Sequence, residues 1–212
     1  MATGRFVVLE GIDGAGTTTQ TSILAQKLRS SGVLVRTTRE PSDGPVGTMI
    51  RQVLTGRIVG AKGLAPGWQT MALLFAADRM DHVETEIVPF VEAGGVIISD
   101  RYDASSLAYQ SVSSGRGGEA AVDWIRTLNA HARRPDLTIV LDVPSDVGAA
   151  RREARGEAAQ LYEQNEVQRA LAAFYKDLAR HMPDDRVVVV NGAASVDDVA
   201  AAVHRAYVAA FP

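Results

Sequence analysis

Residues Gly11 to Gln20 read GIDGAGTTTQ, three glycines and an aspartate ahead of three threonines. Glycines that tolerate positive φ let successive backbone N–H groups converge on one anion, and the positive end of a following helix adds to the attraction. The spacing therefore reads as a phosphate loop made of Gly11, Ile12, Asp13, Gly14, Ala15, Gly16, Thr17, Thr18 and Thr19, with the Thr18 hydroxyl where such loops ligate Mg2+. One part is absent. The pattern G-x-x-x-x-G-K-[ST] requires lysine where this chain has Thr17, and a Gly-rich turn kept only for tight packing is the competing reading.

Three further groups bear on that choice. In VIISDRYDASSLAYQ an apolar run ends in Asp100-Arg101; a carboxylate there can organise Mg2+ and its waters, and an arginine can grip phosphate with two parallel hydrogen bonds. An Asp–Arg surface pair is the plainer alternative, and Asp142, at the end of another apolar run, competes as the metal carboxylate. Arg39, Glu40 and Pro41 close a third such run. In LLFAADR, Phe75 and Arg79 lie one helical turn apart, so a ring that can stack on a base and a guanidinium that can bond its edge share a face; ordinary core packing explains Phe75 equally well.

These groups need a scaffold that brings strand ends together. Five nearly continuous apolar runs, Phe6–Glu10, Val33–Thr38, Val96–Ser99, Leu137–Val143 and Val187–Val190, alternate with stretches of helical period, which predicts an α/β fold with a doubly wound five-stranded parallel sheet buried on both faces. Helical stripes run through Thr21, Leu24, Ala25 and Leu28, then Val46, Met49, Ile50, Val53 and Leu54. A long one follows over about 66–91 with Met71, Leu74, Phe75, Val83, Ile87 and Val88, and a last helix begins after an N-cap at Ser195. The Gly/Ser-rich stretch 111–120 predicts a mobile loop. Charge on all sides of 151–166 predicts a short helical lid on a single domain spanning 1–212.

Composition narrows the partners. The chain has 212 residues, 46% hydrophobic and 22% charged, with a net charge of −3, so no general basic field recruits nucleic acid or an anionic membrane. It has no cysteine, which excludes thiolate chemistry and agrees with a cytoplasmic protein; no stretch reaches the ~20 apolar residues of a membrane span.

Taken in order, VLEGIDGAG, REP, LLFAADR and DRYDASSLAYQ resemble the thymidylate kinase family of P-loop nucleoside-monophosphate kinases. The resemblance implies the P-loop kinase fold, a homodimer, and transfer of the γ-phosphoryl of ATP to dTMP with Mg2+ for dTTP synthesis. It implies that Asp13 binds the deoxyribose 3′-hydroxyl and that Arg39 and Arg101 hold the acceptor phosphate. Phe75 would stack on thymine, Arg79 would bond its edge with Ser105, Ser106 and Gln110 nearby, and Tyr109 would exclude a ribose hydroxyl.

Two departures stand out. Thr17 removes the loop cation, which directs attention to Arg151, Arg152 and Arg155; Arg152 and Arg155 are three apart and share a helical face. The family's lid block Asp-Arg-x-Glu reads here Gln160-Leu161-Tyr162-Glu163. The residues thus leave three readings: a kinase whose catalytic charge comes from the lid, a nucleotide-binding relative without transfer, and a kinase for another deoxynucleotide or a deoxynucleoside.

Overall fold

A computed structural model describes residues 4–60, 62–115, 118–156, 161–162 and 164–212. β1 (Arg5–Glu10) is central because Phe6, Val7, Val8 and Leu9 are all shut from solvent. Successive side chains point to opposite faces: Val7 and Leu9 join one core, while Phe6 and Val8 join another with Ile97 and Tyr102. β3 (Val96–Asp100) and β4 (Leu137–Asp142) pair with β1 in parallel, and β2 (Val35–Arg39) and β5 (Val187–Asn191) complete the order β2-β3-β1-β4-β5.

The expectation that every strand is buried on both faces fails at the two edges. Arg36, Thr37 and Arg39 of β2 and Val189 and Asn191 of β5 are exposed, since each of these strands has a neighbour on one side only. β2 also starts two residues later than its apolar run, after Val33 and Leu34.

Around the sheet lie α1 (Thr17–Ser30), α2 (Pro45–Leu54), α3 (Trp68–His82), α4 (Val88–Glu92), α5 (Asp103–Ser113), α6 (Gly118–Leu128), α7 (Ser145–Arg155), α8 (Asn165–Lys176), α9 (Leu178–His181) and α10 (Val196–Ala210). The long helix expected over 66–91 is α3 and α4 joined through a π segment, Val83–Ile87. Pro89 explains the change of pitch, because its ring and missing N–H cannot continue the regular ladder. Most of the stretch expected as a mobile loop is helical, in α5 and α6; Arg116 and Gly117 lie outside the described residues. Ser195 caps α10, its Oγ accepting from Asp198 N at 3.2 Å.

One close approach sets the position of the arginine-bearing α7. A Cβ on Gly14, whose φ is 86°, would stand 2.3 Å from the Gly148 carbonyl oxygen, and a Cβ on Gly148 would stand 2.8 Å from that of Asp13. The loop and α7 therefore touch backbone to backbone. Gly148→Ala should push α7 outward, costing about 1–3 kcal/mol as overpacking and about tenfold in turnover; thermal unfolding and steady-state kinetics read the two effects separately.

Candidate active site

Parallel pairing brings the C-terminal ends of β1, β2 and β3 to one edge, where Leu9 and Arg39 both register with Asp100. Two clefts open there. A polar one of about 200 Å3 is lined by Asp13, Gly14, Gly16, Thr17, Thr18, Thr19, Asp100, Arg101, Arg152 and Arg155. A more apolar one of about 150 Å3 is lined by residues including Glu40, Phe75, Arg79, Ser105, Ser106, Tyr109, Gln110 and Tyr162, and again by Asp13 and Arg101. The two clefts meet at the Asp13–Arg101 pair.

In the polar cleft the loop runs through Gly14 and Gly16 at φ 86° and 96°, and a Cβ on Gly16 would meet nothing within 4 Å, so backbone faces open space. Gly11 and Ile12 lie buried behind that surface, with Ala15. Thr18 Oγ1 donates to Asp100 Oδ2, while Asp100 Oδ1 is buried with no partner among the described residues. One hydroxyl and one carboxylate, both hard oxygen donors, suit Mg2+, which takes few protein ligands and keeps waters and phosphate oxygens. Asp142 lines neither cleft, and no cluster of three His, Cys, Asp or Glu side chains occurs among the described residues.

The three arginines of α7 separate. Arg152 is nearly buried and donates to the Asp13 carbonyl oxygen at 2.5 Å, inside the polar cleft beside Thr17. Arg155 lines the same cleft. Arg151 points elsewhere, donating to the carbonyls of Ala15 and Gly192 at 3.4 and 3.0 Å, so it braces the loop against the turn after β5.

Arg101 holds the junction. Its φ of 72° is rare for a residue with a side chain and marks a site whose surroundings enforce an otherwise costly backbone. Nη2 donates to Asp13 Oδ1 at 2.7 Å and Nη1 to the Gly11 carbonyl at 2.8 Å, and the guanidinium lies 5.3 Å from the Tyr109 ring centroid. Gln168 Nε2 reaches the other Asp13 oxygen at 3.0 Å.

In the apolar cleft Arg79 is almost wholly buried, donating to Glu40 Oε2 at 2.6 Å, Asn129 Oδ1 at 2.5 Å and Ser106 Oγ at 3.1 Å. Its Nε has no partner among the described residues. Tyr109 and Tyr162 meet edge to face at 5.4 Å, and burial pushes the Tyr109 hydroxyl far above its usual range, so the ring is neutral. Arg39 lines neither cleft. Asp43, four residues on, draws its guanidinium to 2.8 Å and is itself held below the usual carboxylate range by that contact.

Sequence reasoning passed over Glu10, Tyr162, Gln168, Tyr175 and Asn129. Glu10 was the most visible, an acid ending the apolar run Phe6–Leu9. It is fully buried, and desolvation raises its carboxyl to about 7 against the opposing pull of Arg101. Gln168 shares a helical face with Leu171 and Tyr175, so a lone amide on an apolar stripe was its signal. Of the predicted lid, 151–155 belongs to α7 and Tyr162 reaches the apolar cleft; 157–160 and Glu163 lie outside the described residues.

A parallel sheet with a glycine loop between its central strand and the next helix, opening beside a more apolar pocket, defines a P-loop kinase of the nucleotide-phosphorylating class. The family model described as thymidylate kinase matches residues 9–203. The chain is 42% identical over 197 residues to a probable thymidylate kinase of Pyrococcus abyssi, covering 92% of each chain. It is 39% identical over 209 residues to a thymidylate kinase of Caulobacter vibrioides, covering 96% of this chain and 95% of the relative, and 41% identical over 183 residues to one from Thermomicrobium roseum. The chain belongs to the thymidylate kinase family.

Proposed function

We propose that the protein transfers the γ-phosphoryl of ATP to the phosphate of dTMP, giving dTDP and ADP for dTTP synthesis. The observation that carries this reading is the meeting of the polar cleft of the glycine loop and the more apolar cleft beside it at Asp13 and Arg101. That is where a donor phosphate and an acceptor phosphate must face one another, and phosphoryl transfer needs alignment and charge neutralisation more than covalent chemistry. The loop backbone cradles the donor phosphates. Thr18 and Asp100 would hold Mg2+, which would supply charge neutralisation there. Arg101 takes the acceptor phosphate and Asp13 the 3′-hydroxyl; Arg39 joins Arg101 on turning away from Asp43.

Phe75 stacks on thymine, and Arg79, with Ser105, Ser106 and Gln110, lines the same cleft and reads the base edge. The Tyr109 ring crowds the sugar C2′. Arg152, already bonded to the loop at Asp13, replaces the lysine absent at Thr17, with Arg155 beside it. The chain works as one P-loop kinase domain with a lid at about 151–166. A cytoplasmic homodimer goes with this role; the exposed Met49 and Leu73 on α2 and α3 provide apolar surface for a second copy, and no helix among the described residues is long and apolar enough to cross a membrane.

A coupled ADP-release assay with Mg-ATP and a panel of nucleoside monophosphates tests the reading. dTMP should be turned over at least about tenfold better than the others, and chelating Mg2+ should abolish transfer. Binding of dTMP without ADP release would identify the nucleotide-binding relative instead, and preference for another acceptor would move the substrate.

A further inference from the structure

We propose that Glu10 is a positioning residue for Arg101, acting through the hydroxyls of Ser105 and Tyr175, an inference that rests on the kinase reading above. Glu10 Oε1 accepts from the main-chain N–H groups of Tyr102 and Ser105 at 2.8 and 3.1 Å. Oε2 accepts from Ser105 Oγ at 2.7 Å and from Tyr175 OH at 3.0 Å. Arg101 Nη1 donates to the same two hydroxyls, at 3.2 and 3.4 Å.

The directions of these bonds matter. A hydroxyl that gives its proton to Glu10 keeps lone pairs for Arg101, so an ionised carboxylate at this place turns both hydroxyls into acceptors aimed at the guanidinium. Three distant elements meet here: Glu10 ends β1, Ser105 opens α5, and Tyr175 lies late on α8. The carboxylate also fixes the two N–H groups that follow Arg101 in its unusual φ of 72°. Burial of an acid is expensive, and desolvation raises this one to about 7. A group needed only to fill the core at a strand end would be better served by leucine; the arrangement makes sense where the charge organises Arg101.

Glu10→Gln tests this with little change of shape. The Tyr102 and Ser105 N–H groups can only donate, so the amide oxygen must take their side and the NH2 must face the two hydroxyls. Those oxygens then receive the amide protons, which compete with Arg101 for the same lone pairs.

The experiment is a cycle of four proteins, wild type, Glu10→Gln, Arg101→Met and the double variant, assayed for kcat/KM toward dTMP and for dTMP affinity by calorimetry. Glu10→Gln should lower kcat/KM about tenfold in the wild-type background, and by less than about twofold once Arg101 is Met. An equal loss in both backgrounds, or no loss in the first, overturns the proposal, because Glu10 would then act on the fold or on nothing. A wild type that transfers no phosphoryl group overturns the kinase reading itself; the calorimetric cycle still decides whether Glu10 acts through Arg101.

Discussion

Arg152→Ala should lower turnover by about 10²–10³-fold while leaving dTMP affinity within about threefold of wild type. That factor is what removing one preorganised donor from a transition state typically costs. The geometry makes Arg152 the candidate among the three α7 arginines. It lines the polar cleft and bonds the loop's own backbone, at the Asp13 carbonyl, whereas Arg151 is committed to the carbonyls of Ala15 and Gly192 outside the cleft. Its guanidinium is permanently charged and can hold two phosphate oxygens at once, so it can do from α7 what a loop lysine does from position 17. The loss should fall on kcat, because charge shifts toward the leaving oxygen in the loose transition state and is not yet there in bound ATP.

The same argument predicts rescue. Thr17→Lys in the Arg152→Ala background should restore at least about tenfold of the loss, since it returns a cation to the same cleft; in the wild-type background it should change turnover by less than about threefold. Steady-state kinetics on the three variants decide the matter. If Arg152→Ala keeps wild-type turnover, or if Thr17→Lys rescues nothing, the idea that α7 supplies the missing charge is wrong.

How this site could be read from the sequence depended on how local each part is. The phosphate loop, Asp100-Arg101 and the Phe75/Arg79 pair are short runs at strand ends or one helical turn apart, so residue type and spacing carry their meaning. The five strands were visible for the same reason, although apolar runs do not reveal which strands lie at the edges, and so burial was overestimated for β2 and β5. What stayed hidden is the wiring. Tyr175 reaches Glu10 across 165 residues and Gln168 reaches Asp13 across 155, and on α8 both fall in the phase of an ordinary apolar stripe. No periodicity announces such contacts, because the parallel sheet creates them. Arg39 shows the converse: its place at a strand end suggested phosphate, but a carboxylate four residues away holds the side chain outside both clefts.

Arg79→Met should be the most destabilising of the site variants, at about 3–5 kcal/mol, because it strands Glu40. Both side chains are 1–2% exposed, and breaking a buried ion pair from one side leaves an uncompensated charge. Among the described residues Glu40 would keep only His82, whose Nδ1 lies 3.2 Å from Oε1, while Asn129 and Ser106 would each lose a donor. For a domain of this size the loss corresponds to a fall in Tm of roughly 6–20 °C. Adding Glu40→Gln removes the stranded charge and should return most of that fall, since a neutral amide beside a thioether costs far less to bury. It should not return dTMP binding. If the Arg79 guanidinium reads the base edge, the double variant is a folded protein with thymine affinity lowered about 10–100-fold, and discrimination against other bases should weaken with it. Calorimetry with dTMP on the double variant separates the two roles: wild-type affinity would make Arg79 a structural residue alone, and a Tm that stays low would move the cause of instability away from Glu40.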